Sequence, residues 1–210
     1  MKVISTNIGK PTTIVWNGRE EKTGIFKYPV STSIFLHTDA VANDTVVNRS
    51  VHGGEHKSCY LFSTDQYPYW KSIYPELSWD WGMFGENLSI QGLNEANLRI
   101  GNIYKIGTAL VQISQPREPC YKLGIRFGSQ EIIKQFIDHA YPGTYVRLLE
   151  KGEVKIGDTM ELIQESVNPL TVQQFYQLLF SREKNLDHLK LAIDNNAIPL
   201  KKREKLKKWL

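Results

Sequence analysis

The sequence predicts a mainly β body followed by a small helical extension. Two observations carry this. From Met1 to about Gln164 the chain runs as short, alternating, β-branched-rich stretches broken by Gly, Pro and Asn. After Val167-Asn168-Pro169 the apolar residues switch to helical spacing. So many short strands separated by turn signals point to a barrel or sandwich-like sheet.

The expected strands are Lys2 to Thr6, Thr13 to Trp16, Lys22 to Lys27, Ser33 to Leu36 and Ser58 to Leu61. Further along come Asn87 to Ile90, Ile103 to Ile106, Ala109 to Ser114, Tyr145 to Glu150 and Thr159 to Gln164. Asn17-Gly18 sits between two of these runs and reads as a tight hairpin turn. Two helices interrupt the sheet. Ser63-Thr64-Asp65-Gln66 resembles a capping box opening a helix toward Ile73, and Gln130 to His139 places Ile132, Ile133, Phe136 and Ile137 on one face. In the extension, Thr171 with Gln174 offers an N-cap pair ahead of Val172, Phe175, Leu178 and Leu179. A second helix follows from Asn185 to Ile193, and Pro199 fits the first turn of a third. Three such short helices bury little alone, so they are expected to pack together or onto the body. The division expected is 1–166 for the body and 167–210 for the three-helix extension.

The chain has 210 residues, with 26 Lys and Arg against 22 Asp and Glu, a formal charge of +4. That charge is unevenly placed. Residues 199–210 carry six bases against Glu204, whereas the first 198 residues hold 20 bases and 21 acids. A basic terminal helix fits either a solvated face or contact with nucleic acid, and the former is the commoner. With only Cys59 and Cys120, and no C-x-x-C, neither a disulfide framework nor a zinc knuckle is expected. No apolar run approaches a membrane span and no signal-peptide order opens the chain, so a cytoplasmic protein is expected. The Gly-x-Ser-x-Gly, Walker, dinucleotide and His-Glu-x-x-His motifs are absent, which removes the usual support for those enzyme classes.

Chemistry concentrates in three places. Gln115-Pro116-Arg117-Glu118-Pro119-Cys120-Tyr121-Lys122 follows a strand, and its prolines fix φ and remove two donors, so the chain leaves the sheet as a rigid loop. The loop carries one thiol between Arg117 and Lys122. Nearby cations favour thiolate, the nucleophile and soft metal ligand. A lone cysteine is more often a small buried hydrophobe, but this setting points to chemistry. His52-Gly53-Gly54-Glu55-His56-Lys57 combines two permissive glycines with donors suited to an anion, though a Gly-Gly pair alone is an ordinary turn. Phe84-Gly85-Glu86-Asn87-Leu88 places a polar pair before a strand, facing a cleft or finishing a turn. Tyr67, Tyr69, Trp70, Tyr74, Trp79, Trp81 and Phe84 crowd its approach, a density that would suit a heterocyclic ligand or plain packing.

In this order, His52-Gly53-Gly54, Phe84-Gly85-Glu86-Asn87-Leu88 and Gln115-Pro116-Arg117-Glu118-Pro119-Cys120 resemble the MOSC domain found at the C-terminus of molybdenum cofactor sulfurases. Tyr145-x-Arg147, Gly152 and Gly157-Asp158 fit the same pattern. With its helical extension the chain is similar to the stand-alone bacterial subgroup that includes hydroxylaminopurine-resistance reductases. The resemblance implies a β-barrel body that binds a molybdopterin-type molybdenum cofactor. It assigns Cys120 as catalytic residue and molybdenum ligand, and His52, Gly53, Gly54, Lys57, Asn87 and Arg117 as cofactor-binding residues. Asn43-Asp44 stands where the subgroup has Gly-Asp, and Cys59 is an addition, either a small apolar filler or a second thiol near the site.

The activity implied is reduction of N-hydroxylated compounds: hydroxylaminopurines, hydroxylamines or amidoximes. With no flavin or iron–sulfur motif in the sequence, electrons are expected from a separate reductase partner. The alternative is a sulfur or cofactor carrier that uses a Cys120 persulfide without reduction. A third reading is an interaction module whose basic extension binds nucleic acid. No membrane partner is expected, and the sequence leaves the oligomeric state open.

Overall fold

The computed structural model describes residues 1–47 and 53–210. In chain order the first strands are β1 (Lys2–Gly9), β2 (Thr12–Trp16), β3 (Arg19–Thr23), β4 (Lys27–Val30), β5 (Ile34–Leu36) and β6 (Cys59–Ser63). They are followed by β7 (Leu88–Gln91), β8 (Ile103–Ile106), β9 (Ala109–Pro116), β10 (Thr144–Glu150), β11 (Gly152–Val154) and β12 (Met160–Gln164). The helices are α1 (Tyr67–Ile73), α2 (Tyr121–Phe127), α3 (Glu131–His139), α4 (Val172–Phe180), α5 (Leu186–Asp194) and α6 (Leu200–Leu206).

Eight strands form one sheet in the order β12-β8-β9-β10-β6-β7-β1-β4, and two small ladders join β11 to β5 and β2 to β3. Every pairing in the large sheet is antiparallel except β6 with β7. β6 lies inside the sheet and all five of its residues are buried, which is why Cys59-Tyr60-Leu61-Phe62 reads as a continuous apolar run. The sheet curls without closing into a barrel. Val3 N–H donates to Asp158 O, Gly157 N–H to Val3 O and Met160 N–H to Met1 O, each at 2.9 Å. These bonds bring the start of β12 against β1, while β4 remains an edge with Pro29 on it.

Asn17 and Gly18 both have positive φ, 51° and 74°, the tight turn that matches the twist of β2 and β3. The expected strand across Lys22 to Lys27 divides instead into the end of β3, a corner and the start of β4. The corner turns at Gly24, where any Cβ would lie 1.9 Å from the Thr45 carbonyl oxygen. β9 runs through Pro116, opposite Thr144, so the chain leaves the sheet one proline later than the spacing implied. At the last residue of the strand the missing donor is harmless. Gly152–Val154, not among the expected strands, pairs with β5.

Two apolar clusters fill the molecule. The first lies within the curled sheet and continues into the extension, where Phe175, Leu178, Leu189 and Leu206 are buried with Leu61, Leu88 and Ile113. Thr171 and Gln174 form the full capping box at the start of α4, with bonds of 3.1 and 3.0 Å, and Asn185 caps α5 through His188 N–H. Pro199 immediately precedes α6, at its cap position.

The second cluster sits beneath α1, α2 and α3 and is built of rings. Phe62 stacks on Phe84 at 4.1 Å between centroids, and Trp70 and Phe136 close around them. Tyr67, Trp70 and Phe84 are buried there, with Tyr74, Trp79 and Trp81 packed against them. Tyr69 stacks on His139 at 3.9 Å. The aromatic stretch is therefore core rather than a ligand platform, because helices of seven and nine residues need bulky rings to cover one face of the sheet. Instead of a capping box, α1 is preceded by a 3-10 turn at Thr64–Gln66, and the Ser63 hydroxyl accepts from Asp65 N–H at 3.4 Å. Among the described residues no helix is long and apolar enough to cross a membrane.

Glu95 ties the two clusters together. Its side chain is fully buried, Oε1 accepts from Gly143 N–H at 2.7 Å, and its carbonyl accepts from Gln173 N–H in α4. Burial raises its pKa to about 7. A folded-state pKa above the unfolded value means stability fully present below the ordinary carboxylate range and lost as pH rises through about 7. Melting followed by circular dichroism should fall by roughly 5 °C between pH 5 and 8. Glu95→Gln keeps the acceptor for Gly143 and should flatten that slope. An unchanged slope in the variant would exclude Glu95 as its source.

Candidate functional site

The loop Arg117–Pro119 crosses from the end of β9 to α2, and Cys120 is the residue that opens that helix. Sequence reading missed α2, because Gly124 breaks its pattern and the prolines before it read as loop. Arg117 is 6% exposed. Its guanidinium donates to Phe84 O at 2.5 Å and lies over the rings of Tyr60 and Phe136 at 5.2 and 5.7 Å. Among the described residues it has no carboxylate within ion-pair distance, so its charge is left to act on the cleft beside it. Cys120 is half-buried, and the cleft it enters is lined also by Lys57, Asn87, Arg117, Glu118 and Lys122.

The far wall was not legible as a site. Thr23, Gly24 and Ile25 contribute to it, with Lys27, Asp44 and the stretch to Val47. Asp44 is an acceptor hub: Gly9 N–H donates to it at 2.8 Å, Asn87 Nδ2 at 2.9 Å, and Lys27 forms an ion pair with it. Lys27 in a strand looks like an ordinary solvent-facing residue, and only its partner explains its burial. Asn43 has φ of 61°, the left-handed conformation that asparagine tolerates better than other non-glycine residues. The Asn43-Asp44 substitution of Gly-Asp therefore keeps the turn that aims Asp44.

Asn87 lines the cleft, but its amide is largely spent within the protein. Nδ2 donates to Asp44 and to Asn7 O, and Oδ1 accepts from Tyr60 N–H. Its neighbour Glu86 points the other way. Tyr67 Oη, Gly82 N–H, Phe84 N–H and the Ser89 hydroxyl all donate to the Glu86 carboxylate, which is fully buried. Burial raises its pKa, and these donors pull it back. Glu86 thus folds the loop that presents Phe84 O to Arg117, while Asn87 faces the cleft.

His52 lies outside the described residues. Gly54, at φ of 94°, precedes the 3-10 turn Glu55–Lys57, and Lys57 N–H donates to its carbonyl at 2.9 Å. Neither Gly53 nor Gly54 is among the described lining residues; their turn delivers Lys57 to the cleft. Burial, then Lys202, lowers the Lys57 pKa, while Glu118 and Cys120 raise it. On the opposite side the β2–β3 hairpin is pinned to α2: Trp16 stacks on Tyr121 at 4.8 Å, and Glu21 takes the Tyr121 hydroxyl and the Lys122 ammonium at 2.6 and 3.4 Å.

Cys59 belongs to the first core cluster, and burial pushes its thiol pKa strongly upward. It is a filler beneath the cleft. The arrangement is a single accessible thiol among Lys57, Arg117 and Lys122, with Asp44 already engaged. Such a cleft attracts anions. Among the described residues no group of three or more His, Cys, Asp or Glu converges.

The MOSC domain model matches residues 48–161. The chain belongs to the MOSC domain family. This MOSC chain is 33% identical over 196 residues to the uncharacterized protein YflK of Bacillus subtilis, spanning 93% of the chain and 88% of YflK. It is 33% identical over 152 residues to the protein YiiM of Escherichia coli, spanning 71% of the chain and 67% of YiiM. A Gibberella moniliformis protein named Reductase is 30% identical over 82% of the chain, which matches 31% of its length. In fold, the crystal structure of YiiM from Geobacillus stearothermophilus superposes with a TM-score of 0.83 at 29% identity, over 100% of this chain and 98% of that one.

Two outcomes test the geometry. Iodoacetamide should label Cys120 and leave Cys59 intact in the folded protein, read by peptide mass spectrometry; labelling of both at similar rates would contradict the burial. Asn43→Gly should leave melting within about 1 °C of the parent, whereas Asn43→Val should cost on the order of 2 kcal/mol by forcing a branched side chain to positive φ.

Proposed function

We propose that this MOSC protein is a molybdenum-cofactor-dependent reductase of N-hydroxylated compounds. The observation that supports it best is the half-buried Cys120 thiol in a cleft with Arg117 and Lys57, where one soft ligand and two cations suit a metal held in an anionic chelate. The substrate class, hydroxylaminopurines, hydroxylamines or amidoximes, follows from the resemblance of its motifs to hydroxylaminopurine-resistance reductases.

Cys120 would be the protein's ligand to molybdenum. Arg117 is held by Phe84 O and two rings, so it offers a fixed charge to the cofactor's anionic groups, and Lys57 offers a second from the opposite element. Asn87 keeps Asp44 turned toward Lys27, which stops that carboxylate from repelling the ligand. When bound, the cofactor supplies the two-electron step that cleaves the N–O bond. The balance is N–OH plus two electrons and two protons giving N–H plus water. Lys57, with its lowered pKa, is the candidate to pass a proton within the cleft.

The electrons are proposed to come from a separate reductase in the cytoplasm. The fungal Reductase supports a donor of this kind, since the region matched is 31% of that protein and leaves length for further modules.

The test is expression in a host competent in molybdenum cofactor synthesis, with metal and pterin content measured beside Cys120→Ala. Near-stoichiometric molybdenum in the parent should be lost in the variant. Reduction of hydroxylaminopurine by a dithionite-reduced viologen donor should fall at least a hundredfold. Metal retained in Cys120→Ala would overturn the ligand assignment. A folded but empty parent would point to transient sulfur or cofactor handling instead.

A further inference from the structure

The extension reaches the site through α6. Lys202 Nζ approaches Glu118 Oε1 to 2.5 Å, and Glu118 lines the cleft two residues before Cys120. Lys202 is not a loose surface charge. Its side chain is 21% exposed, its ammonium lies over the ring of Phe175 at 5.8 Å, and Leu206 on the same helix is buried in the first core cluster. Its neighbour Arg203 donates to Ile193 O at 3.3 Å, which fixes α6 against α5. Lys201, Lys205, Lys207 and Lys208, by contrast, are exposed.

Two carboxylates line the described part of the cleft. Asp44 is engaged by Lys27, Asn87 and Gly9, so Glu118 is the one whose charge would bear on an anionic ligand at Cys120. We infer that Lys202 is a positioning residue of the site: it holds Glu118 as an ion pair and so keeps the ground beside Cys120 net cationic. This rests on reading the cleft as an anion site built around that thiol, and it gives the three-helix extension a role in binding besides packing. The effect of Lys202 on the Lys57 pKa places the same ammonium within electrostatic reach of the cleft.

The charge beside a thiol can be read without any cofactor. Alkylation of Cys120 by iodoacetate, an anion, is compared with alkylation by the neutral iodoacetamide at low ionic strength. The ratio of the two rates reports the local potential, and a buried Cys59 does not contribute. Lys202→Met should lower the ratio on the order of threefold, and Glu118→Gln should raise it by a similar factor. The double variant should return to the parent value, since the ion pair is removed as a unit. Lys205→Met, which removes an exposed charge from the same helix, should leave the ratio unchanged.

The inference is overturned if Lys202→Met does not change the ratio, if Lys205→Met lowers it equally, or if the double variant stays where Lys202→Met left it. Should Lys202→Met unfold the extension, Glu118→Gln alone still decides, because an unchanged ratio there removes Glu118 from the field at Cys120. All of these readouts are taken on protein from a host unable to make the molybdenum cofactor, so that Cys120 is free to react, and the reductase assignment can fail while this one stands.

Discussion

Asp44 accepts from Gly9 at the end of β1, from Asn87 just before β7, and from Lys27 at the start of β4. Those three elements are neighbours at one end of the curled sheet, and Asp44 is the point at which the segment after β5 is fastened to them. A buried ion pair gains little over a well-packed apolar pair, yet losing one partner leaves the other charged and desolvated. Replacing Asp44 would strand Lys27, release Asn87 from one of its bonds and free the wall of the cleft. The shape of the cleft therefore depends on an ion pair within its own wall.

The opposite wall obeys the same logic with different chemistry. Arg117 has no carboxylate partner among the described residues, and its burial is compensated by a carbonyl oxygen and the faces of two rings. Such partners satisfy hydrogen bonds and offer quadrupole attraction without cancelling the charge. Glu86 makes this possible from behind, because the loop it gathers through backbone N–H groups carries the carbonyl that receives the guanidinium. A neutralised cation on one side and an uncancelled one on the other give the cleft a direction.

Much of the fold was legible in the sequence, and less of the site. Patterning located most of the strands, by alternation in β8 and β10 and by a continuous apolar run in β6, while β4 and β11 escaped it. Asn17-Gly18, Thr171 with Gln174, and Asn185 announced their own geometry. Cys120, Arg117 and Lys57 were picked out by type and neighbourhood, and the fold brings them to one cleft. What escaped was long-range. Lys27 and Asp44 are 17 residues apart and carry no local signal of their pairing, and Glu118 and Lys202 are farther apart still. The aromatic stretch stayed open between ligand platform and packing for a related reason: composition shows that rings are present but not which surface they cover, and here they roof a second core.

The order in which the chain is made bears on when the cleft becomes usable. The residues that line it are complete by Tyr145, but β1 meets its late neighbours only at residues 157–160, and Glu118 meets its counter-charge only at residue 202. A nascent chain on the ribosome thus carries the thiol, the arginine and the hairpin well before it carries the helices that cover the first core and the lysine that quiets Glu118. On the role inferred for Lys202, the ground beside Cys120 would become fully cationic only once α6 has docked and Lys202 has met Glu118.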